Sequence, residues 1–186
     1  MRSTASGGTV AITGGTLVVD SGGDGMDSNG SVTMSGGTVV VSGPTGNGNG
    51  ALDYDGTWNQ TGGFLVAAGS SGMVMAPSST SPQSSLLSTF TSQAAGTVVH
   101  IESTEGDSIV TFAPAKAYQS IVVSSPDVTT DASYEVSVGG TTSTANAAGL
   151  ADSGDYEGGS VVDTTTAAEA VSSGGMGGMG GGPGRR

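Results

Sequence analysis

The chain repeats, and that limits its possible folds more than any other feature. Gly14-Gly15-Thr16-Leu17-Val18-Val19, Gly36-Gly37-Thr38-Val39-Val40-Val41 and Gly62-Gly63-Phe64-Leu65-Val66-Ala67 are copies, offset by 22 and then 26 residues. A second set lies just upstream with the same offsets: Gly8-Thr9-Val10-Ala11-Ile12, Gly30-Ser31-Val32-Thr33-Met34 and Gly56-Thr57-Trp58-Asn59-Gln60. A third element, Met26-Asp27-Ser28-Asn29-Gly30, recurs 26 residues later as Leu52-Asp53-Tyr54-Asp55-Gly56. Periods of about 20 to 50 residues mean stacked supersecondary units, since one unit cannot bury its own apolar side. Each copy carries short β-branched runs broken by Gly, Ser, Asn and Pro, with no helix-length periodicity.

Repetition also rescues an unpromising composition. The 186 residues include 35 glycines and 6 prolines and carry a net charge of -12. Fewer than one residue in five is Leu, Ile, Val or Phe, a balance that leans towards disorder unless residues are ordered cheaply. The expected fold is therefore all-β: a right-handed parallel β-helix of about three coils over residues 1–77, with a C-terminal antiparallel β cap. Alternation predicts the inward columns Val10, Val32 and Trp58; Ile12, Met34 and Gln60; Leu17, Val39 and Leu65; and Met26 and Leu52. Pro44-Thr45-Gly46-Asn47-Gly48-Asn49-Gly50 reads as an insertion that bulges as a loop.

The repeat fades near Pro77, after a weak match at residues 68–75, and the texture changes. Residues 78–140 form the expected cap. Alternating runs at Thr97 to Ile101, Ser108 to Phe112, Ser120 to Ser124 and Ser133 to Val138 read as consecutive antiparallel strands separated by turns. Their natural position is over the C-terminal end of the solenoid. Residues 141–173 are acidic and rich in Gly, Ser and Thr, with one further strand expected at Ser160 to Thr164. Residues 174–186 read as a flexible Gly/Met tail.

Several function classes are excluded. Without cysteine there is no disulfide scaffold, thiolate metal site or Cys nucleophile. The basic residues are Arg2, Lys116, Arg185 and Arg186, and no Lys, Arg or His lies between residues 3 and 99. Such a surface does not neutralise phosphates, so nucleic acid is not an expected partner. No run approaches a membrane span, so no membrane insertion is expected, and the first residues lack the apolar core of a signal peptide. The incomplete first coil leaves its strands unpaired, so further coils upstream or a stacked subunit are expected to cover them.

Residues 23–31, with Gly43-Pro44-Thr45, residues 48–56 and residues 67–73, resemble the signature coils of a bacterial carbohydrate-binding parallel β-helix family. The similarity continues through residues 92–97 and 114–120 and covers roughly residues 7–172. It implies a secreted or cell-surface protein, shaped like a polysaccharide lyase and associated with cellulose- and pectin-type polymers and with calcium.

The candidate chemistry lies on the outward side of the third repeated element. If Met26 and Leu52 point inward, Asp27 and Asn29 lie over Asp53 and Asp55 at about 4.8 Å, the inter-strand spacing. Stacked carboxylates repel unless water screens them or a cation joins them, and oxygen ligands suit Ca²⁺. Asp20 and Asp24, on the preceding loop, are expected to complete the shell; the alternative is that these Asp and Asn residues only form turns. Tyr54 and Trp58 are the candidates for stacking on sugar rings, against the alternative that both are buried. His100, the only histidine, has no assignable acid partner and reads as structural, and Lys116 reads as a surface ion pair or a fold contact. The outward Thr9, Ser31, Thr57 and Thr16, Thr38 columns suit either a polysaccharide groove or plain hydroxyl ladders.

A lyase needs a base beside calcium, and the repeats contain no Lys, Arg or His beyond residue 2. The expected function is thus binding without turnover: calcium-linked for an acidic polymer such as polygalacturonate, calcium-independent for a neutral glucan such as cellulose. One alternative is a structural stalk or fibre segment that self-associates end to end through the open coil. Another is a glycoside hydrolase using Asp27, Asp53 and Asp55.

Overall fold

In the computed structural model, residues 7–151 and 153–167 are described. They form an all-β protein with mixed sheets, without an α-helix among the described residues. The Gly/Met tail and the end of the acidic segment lie outside them.

The β-branched runs of the repeats become strands β1 (Val10–Asp20), β2 (Met26–Ser28), β3 (Val32–Ser42), β4 (Leu52–Tyr54), β5 (Trp58–Gln60) and β6 (Phe64–Gly69). Copies stack on copies in parallel. Val10 pairs with Val32, Ile12 with Met34 and Leu17 with Val39; Val32 then pairs with Trp58, Met34 with Gln60 and Val39 with Leu65. Met26, Asp27 and Ser28 pair with Leu52, Asp53 and Tyr54. The register is the one expected from the repeats. The bend at each glycine pair depends on its second member: Gly37 adopts φ +91, and a Cβ there would lie 2.8 Å from the backbone of Gly14 and Gly15. A side chain is therefore excluded both by conformation and by the close approach of the neighbouring copy.

The stack does not stop at Pro77. Ser78 N–H donates to Trp58 O at 2.9 Å, Gln83 N–H donates to Gln60 O at 3.0 Å, and Ser81 Oγ accepts from Gln60 N–H at 2.8 Å. Hydroxyls of Ser78 and Ser81 take over the ladder there, which hides the continuation from a search for β-branched residues.

The downstream strands are β7 (Ser85–Gln93), β8 (Val99–Ser103), β9 (Ser108–Phe112), β10 (Tyr118–Ser124), β11 (Ser133–Val138), β12 (Leu150–Ala151) and β13 (Ser160–Thr166). They do not form one consecutive meander. β10 leaves its sequence neighbours, pairs antiparallel with β6, and receives β7 on its other side. The first sheet thus runs β1-β3-β6-β10-β7, with β5 also on β3, and the second runs β12-β9-β8-β11-β13. β7 lies in the Ser/Thr-rich stretch where the sequence pattern predicts no strand. Its Leu86 and Leu87 face the two different cores, so its sequence lacks the one-sided alternation of a surface strand.

Two cores result. Val32, Met34, Val39, Val41, Leu52, Trp58 and Leu65 fill the interior of the repeat stack. On the other face of the same sheet, Val40, Val66, Ile121 and Val123 pack against Val99, Ile101, Phe112 and Val136 of the second sheet. The expected cap is therefore realised by both edge and face: β10 covers the last repeat strand, and the second sheet covers its outer side.

Candidate functional site

β2 and β4 place Asp27 directly beside Asp53 in parallel register. Alternation carries Leu52 into the repeat core and leaves Asp27 exposed and Asp53 half-buried, as expected for an outward column. Asp55 follows at the end of β4, held by its N–H donating to Ser28 O at 3.0 Å. Asp24 lies at the entry to β2, where its Oδ1 accepts from Gly50 N–H at 2.8 Å. With the Asn49 amide oriented to donate, it reaches Asp24 Oδ2 at 3.2 Å. The Asp53 carboxyl is held above its ordinary value, first by partial burial and then by the charges of Asp24, Asp27 and Asp55. Asp53 thus feels carboxylates from its own copy and from the preceding one. Asn29 is exposed beside them.

Asp20 does not join this group. It ends β1 rather than sitting on a loop, and its Oδ1 lies 2.7 Å from Lys116 Nζ, which also donates to Ser21 O at 2.5 Å. Lys116 comes from the segment that crosses to β10, a placement with no signal in the local sequence. The six candidate ligands therefore do not close into one shell, and no three Asp, Glu or His side chains form a metal-holding group among the described residues. Asp27 and Asp53 form a two-carboxylate ledge. Such a ledge supplies a fraction of the six to eight oxygens Ca²⁺ takes, the rest having to come from water or a bound ligand.

The two aromatic candidates are withdrawn from the surface. Trp58 is 0% exposed and Tyr54 is 6% exposed. Their rings pack against each other with centroids 5.9 Å apart, and Tyr54 O–H donates to Ala76 O at 2.6 Å. Neither offers a face to a sugar ring, because each lies in a column whose other members line the repeat core. Trp58 Nε1 and Gln60 Oε1, both inside this core, have no hydrogen-bond partner among the described residues.

Ser31 Oγ accepts from Thr57 N–H at 3.2 Å and lies 3.4 Å from Thr57 Oγ1, so hydroxyls of successive copies meet in this column.

His100 is buried in the second sheet with partners on both nitrogens. Nδ1 is hydrogen-bonded to Thr111 Oγ1 at 2.8 Å, Nε2 lies 3.5 Å from Glu102, and the ring stacks on Tyr156 at 4.2 Å. An acid partner thus exists that the linear sequence does not identify. Burial nonetheless dominates and pushes the imidazole below its ordinary value of 6.5, while Glu102 pulls it back up in part. The structural reading of His100 fits this arrangement.

The fold also assembles a cleft that the sequence shows only as separate turns. Glu105 and Asp107 from one turn, and Asp127 from another, line it together with Ile109 and Tyr134.

Compared with known proteins, the chain matches no family model, no curated protein and no solved structure. No helix of the described residues is long and apolar enough to cross a membrane.

Proposed function

We propose that residues 7–83 form a right-handed parallel β-helix that binds polysaccharide without turning it over, in the manner of the secreted carbohydrate-binding proteins its coils resemble. The observation that carries this reading is the outward carboxylate column of Asp27 and Asp53, with Asp24 and Asp55 close enough to raise Asp53. Like charges held in register by two backbones are relieved by a shared cation. Ca²⁺ on this ledge has open positions for ligand oxygens, so it joins the protein to an acidic polymer that a chain of charge -12 otherwise repels. The hydroxyl pair of Ser31 and Thr57 on the outer side supports contact with sugar hydroxyls. With Tyr54 and Trp58 buried, binding on this reading uses no aromatic platform within the repeats.

The test is retention on calcium-gelled polygalacturonate and on cellulose, with Ca²⁺ and with EDTA, for the chain and for Asp27→Ala/Asp53→Ala. Retention on the pectate gel should be lost in EDTA and in the variant. Retention unaffected by both would move binding to the hydroxyl face, and a folded chain retained on neither polymer would refute the proposal.

A further inference from the structure

The two ends of the first sheet differ. At one end the last strand, β7, pairs with β10 and is contacted by side chains of β13: Ser88 Oγ lies 2.5 Å from Asp163 Oδ2, and Thr165 O–H donates to Leu87 O at 3.4 Å. At the other end, among the described residues, β1 pairs with β3 alone. The columns that are buried in β3 are open here, with Leu17 38% and Val18 52% exposed against 0% and 1% for Val39 and Val40. The edge carries no guarding Lys or Pro, and its one charge, Asp20, is neutralised by Lys116.

The glycines show what this edge is shaped for. A Cβ on Gly36 would lie 2.9 Å from Thr13 O, and one on Gly62 would lie 2.7 Å from Ser35 O. The first glycine of each pair therefore makes room for the backbone of the preceding copy. Gly14 is the equivalent residue of β1, yet a Cβ there would meet nothing within 4 Å, and its φ is not positive. Gly8 stands in the same relation to Gly30, whose Cβ would lie 2.1 Å from Gly8 O, while one on Gly8 would meet nothing. Among the described residues nothing requires glycine at either position; a further backbone lying along β1 does.

We infer that a second copy of this chain supplies that backbone, pairing β1 with β1 antiparallel about a two-fold axis between Gly14 and Gly15. The bend shifts the alternation by one residue, so the core-facing set is Val10, Ile12, Leu17 and Val19. This set is symmetric about the bend. An antiparallel copy then places Val10 opposite Val19 and Ile12 opposite Leu17 on the inner side, and Ala11 opposite Val18 and Thr13 opposite Thr16 on the outer side. The apolar columns continue across the junction, and the centre holds only glycine. Because a two-fold contact uses the same β1 edge of both copies, the assembly stops at two instead of growing into a fibre. The interface is small and both chains are acidic, so association is weak and strengthens with salt.

Sedimentation velocity across chain concentrations, up to about 200 µM and in the weak-interface regime, is the test. A monomer–dimer equilibrium is expected, tightened by added NaCl. Gly14→Val and Val18→Glu should each weaken it at least tenfold while leaving the far-UV spectrum and monomer melting temperature unchanged, since Gly14 has open space and Val18 is exposed. Register is read by oxidation in this cysteine-free chain. An equimolar mixture of Thr13→Cys and Thr16→Cys chains should give a disulfide heterodimer faster than either variant alone. A monomer throughout, an open-ended polymer series, or faster cross-linking of Thr13→Cys with itself would each overturn the inference.

Discussion

The repeat stack and the five-stranded sheet place residues side by side by opposite rules. In the stack, strands are parallel and partners are copies, so like residues lie over like: Val10 by Val32, Asp27 by Asp53. In the second sheet, strands are antiparallel and partners are unrelated, so His100 lies between Thr111 and Ser137. Repetition therefore builds apolar columns efficiently and also stacks charge on charge. The antiparallel sheet loses that regularity, and in exchange its buried imidazole, His100, acquires partners on both nitrogens. The difference shows in whether neighbouring charge adds to the effect of burial or opposes it. Asp53 is raised by burial and by its own repeat neighbours, whereas His100 is lowered by burial against an opposing pull from Glu102.

The strongest way to break this contrast is to ask whether the two regions unfold separately. Phe112 is fully buried in the core that Val40 and Val66 of the stack share with the second sheet. Phe112→Ala should cost about 3–5 kcal/mol. Because β10 is built into the first sheet, the loss should appear as one cooperative transition, with amide exchange at Val39 and Leu65 accelerated together with that at Val99. Unchanged protection in the stack would mean that the two sheets are independent units.

Glycines sharpen the contrast at the next level. Gly37 and Gly106 both have left-handed backbones, at φ +91 and +94, but only Gly37 also has neighbouring backbone within 3 Å of where a methyl group would sit. Gly106→Ala should cost about 1 kcal/mol for conformation alone. Gly37→Ala adds overpacking against the preceding copy and should cost about 3 kcal/mol. Urea melts of the two variants compare them directly, and equal costs would argue that the copies are not tightly stacked.

The smallest effects are those of pH, and they have opposite signs. The folded-state value of His100 is below that of the unfolded chain, so its contribution is fully present above about pH 6.5 and is lost as the pH falls through the lowered value. His100→Gln should flatten the loss of stability between neutral and mildly acidic pH. Asp53 is raised, so its contribution is present at low pH, below its ordinary 3.8, and is lost as the pH rises through its folded value. Asp53→Asn should therefore raise the urea midpoint slightly at pH 7 in EDTA. In the calcium-bridging proposal, added Ca²⁺ stabilises the parent chain and not the variant.

The sequence by itself determined the register of the stack. Copies spaced by 22 and 26 residues have one alignment that puts apolar on apolar and glycine on glycine, so the pairings of Val10, Val32 and Trp58 were readable without a structure. It also located the Asp27–Asp53 column and most downstream strands. Tertiary structure alone decided the rest. It moved β10 out of its sequence neighbourhood, turned a Ser-rich stretch into β7, took Asp20 out of the carboxylate group by bringing Lys116 to it, and set Tyr54 inside against Trp58. The physical reason is that repetition writes each contact twice in the chain, once in each partner. A contact between unrelated segments leaves no such mark, because neither segment carries the pattern of the other.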